Sequence, residues 1–409
     1  MQGNSPRRFR EKQVFCSGRI SCFFSVVFGA LSFTALAEVR VTHPYRGVTW
    51  IERTETVPRV VAMHVVRVNL KVPGIRFKLT PPGGIRDTRL QTTAEFLEQE
   101  RAQVALNGHF YVPFPASDDQ VNVVGFAASE GRVYSGFEPQ PVAPGYVDQS
   151  YAIVANAPAL NIDSRNRVTV LHRDPVAPEG RRPLEPVEVG TALAGSAQIV
   201  TDGVATIPGC TAAPGGLFPV NGYSESNSWN SQLRARTAMG VTRDGAALVL
   251  FTVDQSGSSR GMTTLEVARV LIRDYDVDQA INLDGGPSTT LVLEDPTTHR
   301  AREVSANGAG GHGNPVGSNL AVFAPSDPGL DASLRIWITT SREVVLSWPA
   351  VLSGWNLESL PGPGASDWEL ETRPPELRDN SWVFRTVPTG AARYFRLREP
   401  EVLRTGMGR

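Results

Sequence analysis

The segment Asn282–Thr290, NLDGGPSTT, constrains this chain more than any other. An apolar lead-in of Ala280, Ile281 and Leu283 carries one carboxylate, Asp284, to the end of a predicted strand. Two glycines and three hydroxyl residues follow around Pro287, and Leu291, Val292 and Leu293 then resume a second strand. Gly285 and Gly286 permit positive φ and leave room for a ligand against main-chain N–H groups. Taken alone, a tight Asp-Gly hairpin that merely satisfies turn geometry explains the stretch equally well.

The flanking residues add context. Arg236-Thr237-Ala238-Met239-Gly240 opens a predicted hairpin that turns at Asp244-Gly245, and its apolar return strand, Ala247 to Val253, ends at Asp254. A polar loop from Gln255 to Gly261 precedes a predicted helix capped by Thr263 or Thr264, with Leu265, Ala268, Val270, Leu271 and Ile272 on its apolar face. The helix leads through Val277 to the Asp-Gly-Gly turn. Far upstream, Ala105-Leu106-Asn107-Gly108-His109-Phe110-Tyr111 brings Asn107 to the end of another buried strand, after a short helix from Thr93 to about Arg101.

These motifs, in this order, resemble the phosphodiester glycosidase family, in the form of a bacterial secreted member. Its members carry an RTA-G segment, a V-D strand end, a G-T-L helix, NLDGGGSST and an earlier A-x-N-G-x-F-F element. The resemblance covers roughly 39–324 and implies an exported hydrolase that cleaves the glycosidic bond of a sugar phosphodiester, in a polysaccharide, cell-wall polymer or glycolipid. Two positions depart from the pattern. Pro287 replaces the third glycine, fixing φ and removing an N–H. Asn314, in Gly313-Asn314-Pro315-Val316-Gly317-Ser318-Asn319, stands where the family has an arginine.

Such a reaction builds positive charge on the anomeric carbon and negative charge on the departing phosphate, so it needs a carboxylate and anion-binding groups. Asp284 is the first choice for the carboxylate. Asp254 is the second, as base, acid, metal ligand or simply a turn residue. Asn107 is expected to bind a hydroxyl or hold Asp284. Arg236 is the expected phosphate clamp, its planar fork matching an anion, with a surface or intersheet ion pair as the rival role. Gly285, Gly286, Ser288 and Thr289 supply the turn, His109 is a titrating or merely packed group, and Asn319 and His312 are weaker candidates. Asp254, Asp284 and backbone carbonyls would suit Ca²⁺ or Mg²⁺, whereas no His/Cys spacing suggests zinc.

The first 37 residues read as a signal peptide. Arg7, Arg8, Arg10, Lys12 and Arg19 precede an apolar run from about Ile20 to Phe33, and Ala35-Leu36-Ala37 fits a cleavage site. The run is shorter than the roughly 18–20 residues of a membrane helix. The expectation is a secreted or periplasmic chain starting near Glu38, with no membrane span after cleavage. Cys16 and Cys22 leave with the signal, so Cys210 has no internal disulfide partner. Formal net charge is −1 with no basic run beyond the N-terminus, which argues against nucleic-acid binding.

The 409 residues suffice for two domains, and 38 Gly with 31 Pro predict many turns. Residues 38–325 read as an α+β domain, a mixed, largely antiparallel sheet system with few helices. Further strands are predicted near Ala152–Val154, at Val168–Leu171 and as one run from Ala192 to Val200. Pro208 to Ser231 is a long polar loop of the kind that forms lids or binding loops. Residues 331–400 read as a small all-β, sandwich-like module with Trp348-Pro349, Gly354-Trp355-Asn356-Leu357-Glu358-Ser359 and Tyr394-Phe395-Arg396-Leu397 landmarks. It resembles all-β modules appended to secreted bacterial enzymes, and its tryptophans would either stack on sugars or fill its core. Two rival functions use the same residues: an exopolysaccharide glycosidase for ordinary linkages, and a non-catalytic polysaccharide-binding protein.

Overall fold

Residues 38–296 and 298–325, with 334–339, 343–349, 355–361, 367–378, 381–387 and 393–398, are described by a computed structural model. They divide into two compact units, one within Phe33–Ser333 and one from Leu334 onward. The expected signal peptide lies outside the described residues.

The larger unit is built around an eight-stranded sheet in which the hairpin Arg236–Thr242/Ala247–Val253 is central. Alternation along its strands explains how the sheet is buried on both faces. In Val61–Asn69, Val61, Met63 and Val65 face one apolar cluster while Val66 and Val68 face another. Ala247–Val253 divides in the same way, with Val249, Phe251 and Val253 on one side and Leu248 and Leu250 on the other. Helix α1 (Thr93–Glu100) and helix α2 (Thr264–Tyr275) are each started by a capping box, Thr92 with Glu95 and Thr263 with Glu266. Helix α2 covers one face of the large sheet with Val267, Ala268, Val270 and Leu271. The other face meets two five-stranded sheets through Leu106, Leu160, Leu193, Leu291 and Leu320. Phe96 and Leu97 of α1 close the outside of the sheet that holds Val104–Asn107.

In these three sheets every neighbouring pair is antiparallel, so the expected largely antiparallel pairing holds, its mixed character does not, and the unit is mostly β. Helix α2 does join two strands of like direction, Ala247–Val253 and Val277–Asn282, but Arg236–Thr242 lies between them and opposes both.

Two expected elements differ. Ala192–Val200 is two strands: Thr191–Ala194 belongs to a five-stranded sheet and Ala197–Thr201 to the eight-stranded one. The chain changes sheets at Gly195, where a Cβ would lie 1.9 Å from the Asn282 carbonyl oxygen. Ala152–Val154 is a turn segment whose apolar side chains pack with Phe110, Leu217 and Trp229 under the loops.

Among its described residues the second unit has two small antiparallel sheets, one of four strands and one of three. Of its tryptophans, Trp348 is buried, Trp337 is 43% exposed, and Trp355, Trp368 and Trp382 are half-buried.

Candidate active site

The NLDGGPSTT segment is a passage between sheets, not a hairpin. Val277–Asn282 ends in the eight-stranded sheet, and Thr290–Glu294 begins in a five-stranded sheet beside Val104–Asn107. The backbone between them is fixed by neighbours on several strands. Leu283 N–H donates to Thr237 O (2.8 Å), Asp284 N–H to Gly108 O (3.0 Å) and Gly286 N–H to Ala235 O (2.8 Å). Asn107, wholly buried, donates from Nδ2 to Asp284 O (2.8 Å) and accepts at Oδ1 from Thr290 N–H (3.0 Å) and Thr237 Oγ1 (2.8 Å). It therefore holds both ends of the turn and positions Asp284.

The turn's remaining N–H groups are also used internally. Gly285 N–H donates to Asp284 Oδ1 (2.8 Å), and Ser288 and Thr289 N–H close a short 3-10 turn onto Gly285 and Gly286. The segment thus does not offer the open row of N–H donors expected from its glycines. Pro287 sits in the first turn of this 3-10 element, where a missing N–H leaves nothing unsatisfied.

Asp284, Gly285, Pro287 and Ser288 form one side of a cavity of about 500 Å³. An aromatic wall completes it, with Phe110, Tyr111, Phe114, Tyr151, Tyr223 and Trp229, beside Arg234, Gln149 and Asn314. Tyr151 and Tyr223 stack at 4.6 Å between ring centres, and both meet Trp229 edge-on. Asp284 is 8% exposed. Burial pushes its carboxyl up to about 7, against the lowering effect of hydrogen bonds from Ser288 and Gly285. Burial, with the Asp284 charge adding to it, pushes the Tyr111 phenol up to about 12, so this hydroxyl remains a donor at neutral pH.

The predicted residues divide sharply. Asp284, Gly285 and Ser288 line the cavity, and Asn107 supports it from behind. Gly286, at φ +60°, shapes the turn, and Thr289 is fully buried with Oγ1 unpartnered. Arg236 does not reach the cavity wall. It is the first residue of a strand buried on both faces, and its guanidinium donates to the carbonyls of Met262 (3.1 Å), Trp229 (2.7 Å) and Gln232 (2.8 Å). Arg236 therefore braces the loop carrying Trp229, while its Nη1 is buried without a partner. Burial and the charge of Arg234 lower its pKa to about 9.

Asp254 also lies off the cavity wall. Its carboxylate accepts from Ser305 Oγ (2.5 Å) and Asn307 Nδ2 (2.9 Å) and pairs with His64 Nε2 (3.2 Å). His109 is packed behind the site: Nδ1 meets Ser318 Oγ (2.8 Å), and Nε2 lies against Phe126 O (3.1 Å) and Ala194 N (3.0 Å). Burial lowers its pKa to about 4, so it is neutral at pH 7 and no titrating partner. Asn319 stands opposite Asn107 across two strands and accepts from Thr93 Oγ1 (2.7 Å) at the start of α1. His312 pairs with Glu303 at 3.1 Å. Among the described residues no group of three or more His, Cys, Asp or Glu is arranged to hold a metal.

Arg234, Tyr151, Tyr223 and Trp229 escaped the sequence reading. The available signal was a loop otherwise rich in Gly, Ser and Asn that nevertheless carries Tyr223 and Trp229.

The profile of the phosphodiester glycosidase family matches residues 100–323, more than half of the chain. The chain belongs to the phosphodiester glycosidase family. A stretch of 61 residues is 49% identical to the N-acetylglucosamine-1-phosphodiester alpha-N-acetylglucosaminidases of Mus musculus and Homo sapiens, covering 15% of this chain. It spans only 11% and 12% of those proteins. The zebrafish catalytic domain of that name, auto-inhibited by its pro-peptide, aligns with a TM-score of 0.44 at 18% identity over 74% of this chain and 88% of that one.

Proposed function

We propose that the chain is an exported hydrolase that cleaves the glycosidic bond of a sugar phosphodiester, with Asp284 as its catalytic carboxyl group. The observation carrying this reading is Asp284 itself, a carboxyl group with pKa about 7 fixed on the wall of an aromatic cavity. A base whose pKa lies near the working pH combines a useful ionised fraction with proton affinity. In the reaction, water's oxygen bonds to the anomeric carbon and the carbon–oxygen bonding pair leaves on the phosphate. The Asp284 carboxylate takes the proton released by the water. A phosphate monoester departs without help from a strong acid, so one carboxylate suffices. Tyr111 and Tyr151, both pushed up to about 12, are hydrogen-bond donors for sugar oxygens, and the ring faces cover apolar sugar surface.

The test pairs the chain from Glu38 onward with its Asp284→Asn variant, on sugars linked through a phosphodiester and on the same sugars bearing a nitrophenyl group. Sugar release from the phosphodiester, abolished in the variant, is the expected result. Turnover of the nitrophenyl glycoside alone would move the activity to ordinary glycosidic linkages.

A further inference from the structure

Two charged side chains line the cavity, Asp284 and Arg234, and they do not neutralise each other. Among the described residues Arg234 forms no ion pair with any carboxylate. Its guanidinium lies 4.6 Å over the Trp229 ring and donates from Nη2 to Tyr223 Oη (2.9 Å) and to Gln232 Oε1. Nε is buried without a partner. A cation stacked on one aromatic ring and tied to another is held in place before any ligand arrives, and a planar fork suits an oxyanion. Trp229 is in turn fixed by the buried Arg236, which donates to its carbonyl. The strand beginning at Arg236 therefore supports a cation two residues earlier.

We propose that Arg234 receives the phosphate oxyanion of the substrate and is the specificity-determining residue of the cavity. This rests on the phosphodiester reading above and goes further by fixing which side chain selects the charged aglycone. Negative charge grows on the phosphate as the glycosidic bond breaks, so Arg234 binds the transition state more strongly than the ground state. Loss of the guanidinium therefore lowers kcat, beyond any rise in KM.

Steady-state kinetics on the full chain test this with three variants, Arg234→Gln, Arg234→Lys and the double variant Arg234→Gln/Asn314→Arg. Asn314 lines the same cavity, so the double variant returns a guanidinium from another segment. The expected result is a fall of about 100-fold in kcat/KM on the phosphodiester for Arg234→Gln, and of about threefold or less on the nitrophenyl glycoside. Arg234→Lys should fall between, and the double variant should recover about tenfold. Equal losses on both substrates, with no recovery in the double variant, would overturn the assignment by making Arg234 a structural brace. Calorimetric titration with inorganic phosphate separates this proposal from the Asp284 reading. Arg234-dependent phosphate binding in a chain that hydrolyses neither substrate keeps the anion site and removes the catalytic one. Phosphate binding unchanged in Arg234→Gln overturns the anion site.

Discussion

Asp254 and Asp284 follow the ends of two strands in one sheet, separated only by Arg236–Thr242, yet they occupy opposite chemical environments. Burial would raise both. At Asp254 the hydrogen bond and charge of His64, with Ser305 and Asn307, overcome it and hold the carboxyl below the usual range. Asp284 receives hydrogen bonds from Ser288 and Gly285 but no cation, and burial wins. What neighbouring segments bring to a strand-end aspartate thus sets its proton affinity. The two are also mechanically linked, since Asn307 bonds Asp254 through its side chain and Thr289 O through its N–H (3.2 Å).

Replacement of each carboxylate tests the contrast most strongly. Asp284→Asn should lower kcat on the phosphodiester about 1,000-fold. It should also stabilise the fold by about 1–3 kcal/mol at pH 8, read by urea unfolding. The sign follows from the raised pKa: the unfolded carboxyl ionises near the ordinary aspartate value of 3.8, the folded one only at about 7. Wild-type stability therefore drops between those values, and the variant's advantage vanishes below them. Asp254→Ala should do the reverse, losing about 2–4 kcal/mol as His64, Ser305 and Asn307 lose their acceptor, with kcat within about tenfold of wild type. A kcat loss at Asp254 matching that at Asp284, without unfolding, would collapse the distinction. The pH profile gives a gentler test: with Asp284 as the proposed base, kcat/KM should climb through about pH 7 as its carboxylate forms and then level off.

Much of this architecture is legible in residue order because local rules and tertiary packing agree. The Asp244-Gly245 hairpin, both helices, the second with its threonine cap, and the strand ending at Asn107 all follow from period and turn chemistry. The readings that fail concern which sheet or surface a residue joins. Thr191–Thr201 is apolar enough to look continuous, and only the backbone crowding at Gly195 shows the break. The RTA segment draws attention to Arg236, but a strand covered on both faces buries it and leaves Arg234 at the wall. Tyr151 and Tyr223 both lie outside strands and helices, with several strands between them in the chain, so no periodicity announces their contact.

The smallest effect is expected inside the Asp284 turn, at Pro287. Its departure from glycine looks costly if the turn binds an oxyanion through main-chain N–H groups. In the structure those groups are committed to Thr237, Gly108, Ala235 and Asp284, and Pro287 occupies a position that needs no donor. Pro287→Gly should therefore change kcat/KM by less than about threefold and stability by about 1 kcal/mol or less, a small loss reflecting greater freedom in the unfolded chain. A gain of tenfold or more on the phosphodiester, absent on the nitrophenyl glycoside, would show that the turn contributes an N–H to the phosphate. The anion would then be shared between the turn and Arg234, and the division between a proton-handling turn and an anion-handling aromatic wall would have to be redrawn.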